Sequence, residues 1–331
     1  MRTLRIQIAS AAVVLGAASI ASAAHAASTP DASAGYPSRP IRIIVGFPPG
    51  SGTDILARFV GGKLTERLGQ QIVVDNRTGA NGIIAAELTA KSAPDGHTLL
   101  FMSASHTMNA AVYKLPFDAV KSFTPVGMLA SGPLVLVTHP SFPVNSIKGL
   151  VDLAKAKPNT ISYAVSGTGG INHFAGALFS RLAGIQLLDV PYRGGPQALT
   201  DLIGGQVQIM FATLAITHRQ VKAQKLKALG VSTTKRATQL PDVPTIAESG
   251  VKDYAMSTWW GVVAPAGVPG AIVAKLNRET AAVLGQPDAV QRLENDGAEA
   301  SPMPSAEFAR VLASEVEKWR RIAREANIKA E

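Results

Sequence analysis

The chain has 331 residues and a formal charge of +9, and is 47% hydrophobic and 17% charged. That balance excludes a disordered polymer and allows a sizeable core, and the length favours two lobes over one. The absence of cysteine excludes disulfides, thiolate metal sites, iron–sulfur centres and thiol nucleophiles.

The first 26 residues have the layout of a secretory leader. Arg2 and Arg5 are followed by an apolar stretch over 8–18 and by the small-residue pattern Ala24-His25-Ala26. Cleavage after Ala23 also fits, because Ala21-Ser22-Ala23 has the same form. The apolar run is shorter than the roughly 20 residues of a spanning helix. Residues 27–35 are small and polar and read as a tether. The expectation is an exported, soluble protein of the periplasm. The positive charge is scattered and accompanies no nucleic-acid motif, so no nucleic-acid partner is expected.

From residue 36 onward, strands alternate with helices. Ile41-Arg42-Ile43-Ile44-Val45 predicts a buried strand, and apolar residues recur at helical spacing over 55–64. A strand follows over 72–74, a helix over 83–92 and a strand over 98–102. The pattern restarts with a strand over 134–137, a helix over 147–156 and a strand over 161–165. Next come a helix over 172–183, a strand over 187–190, a helix over 198–203 and a strand over 207–211. A helix over 216–224 and strands over 226–231 and 256–264 complete this part. Helices over 272–284 and 305–326 then end the chain with only short strand candidates beside them. That tail lacks the strands for a sheet of its own, so it is expected to pack on the first lobe. The fold class is therefore α/β: two lobes, each a mostly parallel sheet flanked by helices, joined by two crossovers near 130–138 and 254–261 that form a hinge. The expected lobes are 36–133 with 256–331, and 134–255.

Two segments carry the functional reading. In the first, Phe47-Pro48-Pro49-Gly50-Ser51-Gly52-Thr53-Asp54 joins a strand end to a helix start. Glycine admits close backbone approach, and free N–H groups at a helix start suit an anion. It is neither a Walker loop nor a dinucleotide fingerprint, because Gly-Lys-Ser/Thr and the third glycine are missing. In the second, Ser166-Gly167-Thr168-Gly169-Gly170-Ile171-Asn172-His173 repeats that logic in the other lobe. Facing each other across a cleft, the two would suit the two ends of a dicarboxylate. Further candidates are Ala80 and Asn81 in a turn, Ser103 and His106 after the third strand, Tyr192, Arg193 and Gly194 after a second-lobe strand, and Trp259 or Trp260 on the return crossover. The catalytic search finds no Gly-x-Ser-x-Gly elbow, no His-Glu-x-x-His and no metal-ligand spacing among the histidines. No cofactor and no catalytic residue are expected. An exported hydrolase and a receptor feeding a sensor system are the alternatives.

At these motifs the sequence resembles the Bug family, the extracytoplasmic solute receptors of tripartite tricarboxylate transporters. The matching segments include Tyr36-Pro37-x-Arg39-Pro40-Ile41, Val74-x-Asn76-Arg77-x-Gly79-Ala80-x-Gly82, Ala93-Pro94-Asp95-Gly96-x-Thr98-Leu99, Val190-Pro191-Tyr192-Arg193-Gly194 and Leu240-Pro241-Asp242-Val243-Pro244-Thr245. The resemblance implies a two-lobed periplasmic-binding-protein fold closing on a small organic carboxylate. It implies contacts from Pro48 to Asp54, from Ser166 to Gly169 with His173, and from Tyr192 to Gly194. It also implies transient partnership with inner-membrane transporter subunits, by a protein expected to be monomeric. Ser51 stands where the family usually has glycine, and Gly170-Ile171-Asn172 departs from its common Gly-Ser.

Overall fold

The computed structural model describes residues 33–325 and Ile328. The expected leader lies outside the described residues, as does most of the tether. In chain order the elements are β1 (Ile41–Val45), α1 (Gly52–Leu68), β2 (Ile72–Asn76), α2 (Ile83–Ala90), β3 (Thr98–Ser103), α3 (Ser105–Val112), β4 (Phe123–Gly132), β5 (Leu134–Thr138), α4 (Ile147–Ala156), β6 (Ser162–Val165), α5 (Ile171–Ala183), β7 (Leu188–Pro191), α6 (Gly195–Ile203), β8 (Ile209–Thr213), α7 (Leu214–Lys222), β9 (Lys227–Val231), β10 (Thr258–Pro265), α8 (Gly270–Leu284), α9 (Pro287–Asn295), β11 (Glu299–Met303) and α10 (Ser305–Glu325).

The strands form two sheets, in the orders β11-β4-β10-β3-β1-β2 and β7-β6-β8-β5-β9. Both are mixed, which corrects the expectation of mostly parallel sheets. The βαβ units do pair in parallel, β1 with β2 and β3, and β6 with β7 and β8. The strands at the crossovers do not: β10 runs antiparallel to β3 and β4, and β5 antiparallel to β8 and β9. A chain that leaves one sheet to enter another arrives without a crossover helix, and only such a helix returns a strand in the parallel sense.

β4 lies where no strand is expected. Its sequence carries Pro125, Gly127 and Gly132, which weaken the strand signal. Tertiary pairing overrides them: β10 bonds along its whole length with two register shifts, one of them beside Pro125. A Cβ on Gly127 would stand 2.8 Å from the Met303 carbonyl of the neighbouring strand, so a side chain there would push β11 away. After residue 265 the structure adds α9 and β11 to the two expected helices, and β11 extends the first sheet at its β4 edge.

Each sheet is covered on both faces. Ile41, Ile43 and Val45 of β1 pack with α1 and α8, whereas Ile44 faces the opposite side, as strand alternation dictates. Each such fully buried aliphatic side chain contributes about 1.5–3 kcal/mol. α10 packs on α3 and β4 of the first sheet's layer. Its end also reaches the second: Trp319 meets Phe174 of α5 edge-on at 5.3 Å, and Arg181 pairs with Glu325.

The two crossings meet at one residue. Ser232, fully buried, donates its N–H to the Leu134 carbonyl (2.9 Å) and accepts the Met256 N–H on its own carbonyl (2.8 Å). Its hydroxyl accepts the Leu134 N–H (2.8 Å) and donates to the Met256 carbonyl (2.7 Å). Leu134 opens β5 and Met256 leads into β10, so a single side chain ties the outgoing and returning strands together.

Candidate functional site

β1 ends at Val45 and the chain turns through Phe47–Ser51 into α1. Ser51 caps the helix by accepting the Asp54 N–H at 3.3 Å. Asp54 is an internal brace of this loop and offers nothing to a ligand. One of its carboxylate oxygens takes the Gly50 N–H (2.9 Å) and the Arg58 guanidinium (3.1 Å), and the other takes the Asn76 amide (2.8 Å). Burial raises the Asp54 pKa, but these donors outweigh it and hold the carboxyl below its ordinary value. The ionised, sequestered form persists, and its charge would repel an acid rather than bind one.

Ser51, Gly52 and Thr53 line a cavity of ≈ 50 Å³ between the two sheets, together with Ser103 and Trp260. The second sheet's layer supplies Ser166, Asn172, Gly195 and Thr213. These residues place the N-termini of α1, α5, α6 and α7 around one space. α5, α6 and α7 lack a side-chain cap at that end, so their first-turn N–H groups are not taken up by their own N-cap residues. The approach is close: a Cβ on Gly52 would stand 3.0 Å from the Thr213 hydroxyl. Among the described residues, no charged side chain lines this cavity.

A second cavity, of ≈ 450 Å³, adjoins the first at Phe47 and Ser166. Pro48, Ala80, Asn81, Tyr113, Gly167, Thr168, Tyr192 and Arg193 line it. The layers touch here. The Tyr113 phenol donates to the Thr168 carbonyl at 2.8 Å. Gly194, at φ +147°, packs so closely on Pro48 that a Cβ would lie 2.6 Å from its ring. Asn81 takes the left-handed conformation (φ 52°); its side-chain amide donates to the Asn109 side-chain oxygen of α3 (2.8 Å), and the Asn109 amide donates to the Asn81 main-chain carbonyl (3.0 Å). The Asn81 side chain lies against Gly167 and Gly170, where a Cβ would stand 3.0 and 2.9 Å from the Asn81 Oδ1.

Three expected site residues point elsewhere. His106 is buried between Phe117 and Phe123 and bonds the Ala119 carbonyl at 2.8 Å. Burial lowers its pKa and keeps the imidazole neutral. His173 accepts the Gly169 N–H on Nδ1 at 3.0 Å, so it braces the second loop, while its ring faces a separate groove beside Asp189. Burial, only partly opposed by Asp189, lowers its pKa as well. Trp259 packs edge-on against Phe308 of α10 at 5.5 Å. Consecutive strand residues face opposite ways, and it is Trp260 that reaches the cavity, donating its indole N–H to the Thr53 hydroxyl at 3.2 Å. Thr53 thereby accepts from the protein and keeps its own proton to donate.

Sequence reasoning missed Thr213, Thr258 and Tyr113. Thr213 obeys the strand-end rule that found the other loops, but Phe211-Ala212-Thr213-Leu214 contains no glycine to mark it. Tyr113 directly follows α3, a helix whose eight residues show weak apolar periodicity.

Two α/β layers, crossed twice by the chain and meeting over a cavity of helix N-termini, define the solute-receptor class of periplasmic binding proteins. Residues 56–328 match the family described as the tripartite tricarboxylate transporter family receptor, and the chain belongs to that family. It is 35% identical over 300 residues to Protein BugT of Bordetella pertussis, covering 89% of this chain and 91% of BugT. An R. palustris protein solved with adipate superposes with a TM-score of 0.86 at 35% identity, over 89% of this chain and 99% of that one. MatC from Rhodopseudomonas palustris with bound malate gives 0.83 at 31%, over 87% and 99%. The resemblance to the Bug receptors is thereby established, and with it the receptor role in a tripartite transporter.

Proposed function

We propose that this protein takes one small organic carboxylate, a linear dicarboxylate above all, between its two lobes in the periplasm and delivers it to a membrane transporter. The observation that carries the reading is the uncharged cavity on which four helix N-termini converge. Each terminus favours an anion by about 0.3–1 kcal/mol when exposed and up to about 2 kcal/mol when partly buried. Together with the Thr53 and Thr213 hydroxyls they supply an anion site without a lysine or arginine. The adipate and malate in the two solved relatives favour the same ligand class.

In this reading the lobes comprise 36–133 with 256–331, and 134–255, and Ser232 lies at the pivot. Residues 1–26 serve as the export leader, cut after Ala26 or Ala23, and the mature protein acts as a monomer that meets its transporter transiently. The cavity performs no chemistry. Among the described residues no imidazole or carboxylate lines it, and the Ser166 hydroxyl donates to the Asn172 side-chain oxygen instead of to a base.

The test is a thermal-shift panel of succinate, malate, adipate, citrate and benzoate on the protein from residue 27 onward, followed by calorimetry on hits. A ligand at a hundred times its Kd stabilises by about 2.7 kcal/mol, or about 4 °C in Tm for a chain of this length. A panel without a shift refutes the proposal.

A further inference from the structure

We infer that Arg193 sets the length of the ligand: it holds the outer carboxylate of a linear dicarboxylate whose inner carboxylate occupies the uncharged cavity. The inference rests on the receptor reading above and deepens it. Four observations lead to it.

First, the two cavities adjoin at Phe47 and Ser166, so a linear molecule anchored in the inner one extends into the outer one. Second, among the described residues Arg193 is the only charged side chain lining either cavity. The inner cavity meets its anion with neutral donors, whereas the outer one offers a full positive charge. Third, the backbone at Arg193 is fixed. On one side the Tyr192 N–H bonds the Val165 carbonyl at 2.8 Å, and on the other Gly194 is wedged against Pro48 at a φ only glycine adopts freely. Arg193 itself donates its N–H to the Gln197 side chain at 3.3 Å. Fourth, its exposed guanidinium joins none of the ion pairs formed among the described residues, whereas Arg58 and Arg77 of the first lobe are both paired. A planar fork of donors on a fixed backbone, at the open end of an anion cavity, matches a carboxylate.

Tyr192 adds an apolar wall beside it, with its phenol drawn towards Asp201. The methylene chain of a diacid therefore passes Phe47, Pro48 and Tyr192 before its far end meets Arg193. A monocarboxylate of equal length gains the wall but not the charge.

The experiment measures Kd by calorimetry for succinate, adipate and suberate and for the monomethyl ester of each, on wild type and on Arg193→Gln and Arg193→Lys. Wild type is expected to prefer at least one diacid over its monoester by about five- to tenfold at low salt, with the preference shrinking as salt screens the exposed charge. Arg193→Gln is expected to abolish that preference while keeping monoester affinity, and Arg193→Lys to retain part of it. An unchanged preference in Arg193→Gln overturns the role of Arg193 and leaves the receptor reading standing. A wild type that binds no member of the series, nor any acid of the wider panel, overturns both.

Discussion

Replacing Ser232 by alanine tests whether one residue joins the two crossings. The side chain is fully buried, and its hydroxyl makes two of the four hydrogen bonds that link Leu134 to Met256 through this position. Ser232→Ala keeps the two backbone bonds and removes the other two. The Leu134 N–H loses its acceptor and the Met256 carbonyl its donor. A buried polar group left without a partner costs about 1–3 kcal/mol. Two such groups, with some relaxation, give roughly 2–4 kcal/mol, equivalent to a fall of about 3–6 °C in Tm for a chain of this length. Because the two bonds tie one crossing to the other, the same change is expected to widen the distribution between open and closed forms. Thermal unfolding measures the first effect. Small-angle scattering with and without a ligand from the panel measures the second, as a larger ligand-dependent change in radius of gyration. A variant that unfolds within 1 °C of wild type and scatters identically would refute the assignment of Ser232 as the tie.

Two other changes probe the loops. Tyr113→Phe removes only the phenolic hydroxyl that crosses to the Thr168 carbonyl. At about 0.5–1.5 kcal/mol per such bond, ligand release is expected to speed up roughly two- to tenfold with little change in capture rate, as stopped-flow mixing would show. Asp54→Asn tests the brace of the first loop through pH. The Asp54 pKa is depressed in the folded state, so its contribution to stability is fully present above the unfolded carboxyl value of about 4 and disappears as pH falls through the lower folded value. Wild type is therefore expected to lose more Tm than Asp54→Asn between about pH 5 and pH 3. Parallel melting curves for the two proteins would disprove the point.

Much of the architecture is written locally. The alternation of strand and helix, the crossovers near 130–138 and 254–261, and the two glycine-rich loops at strand ends all follow from apolar spacing and turn chemistry. Those are properties of neighbouring residues, and the structure places both loops on one cavity. What a side chain does at the end of such a segment depends on partners far away in sequence. Asp54 reads as a ligand contact until Asn76 and Arg58 are seen to occupy it. Trp259 and Trp260 are alike in the chain, and only the packing of β10 between α1 and α10 decides which one reaches the cavity. Likewise β4 becomes a strand because β10 and β11 bond it on both sides, against its own proline and glycines. Local preferences are worth about a kilocalorie per mole or less per residue, whereas burial and paired backbone groups act across the whole sheet. Sequence therefore determined the alternation of strands and helices around the two loops, and the tertiary contacts decided that β4 is a strand and which groups remain free at the cleft.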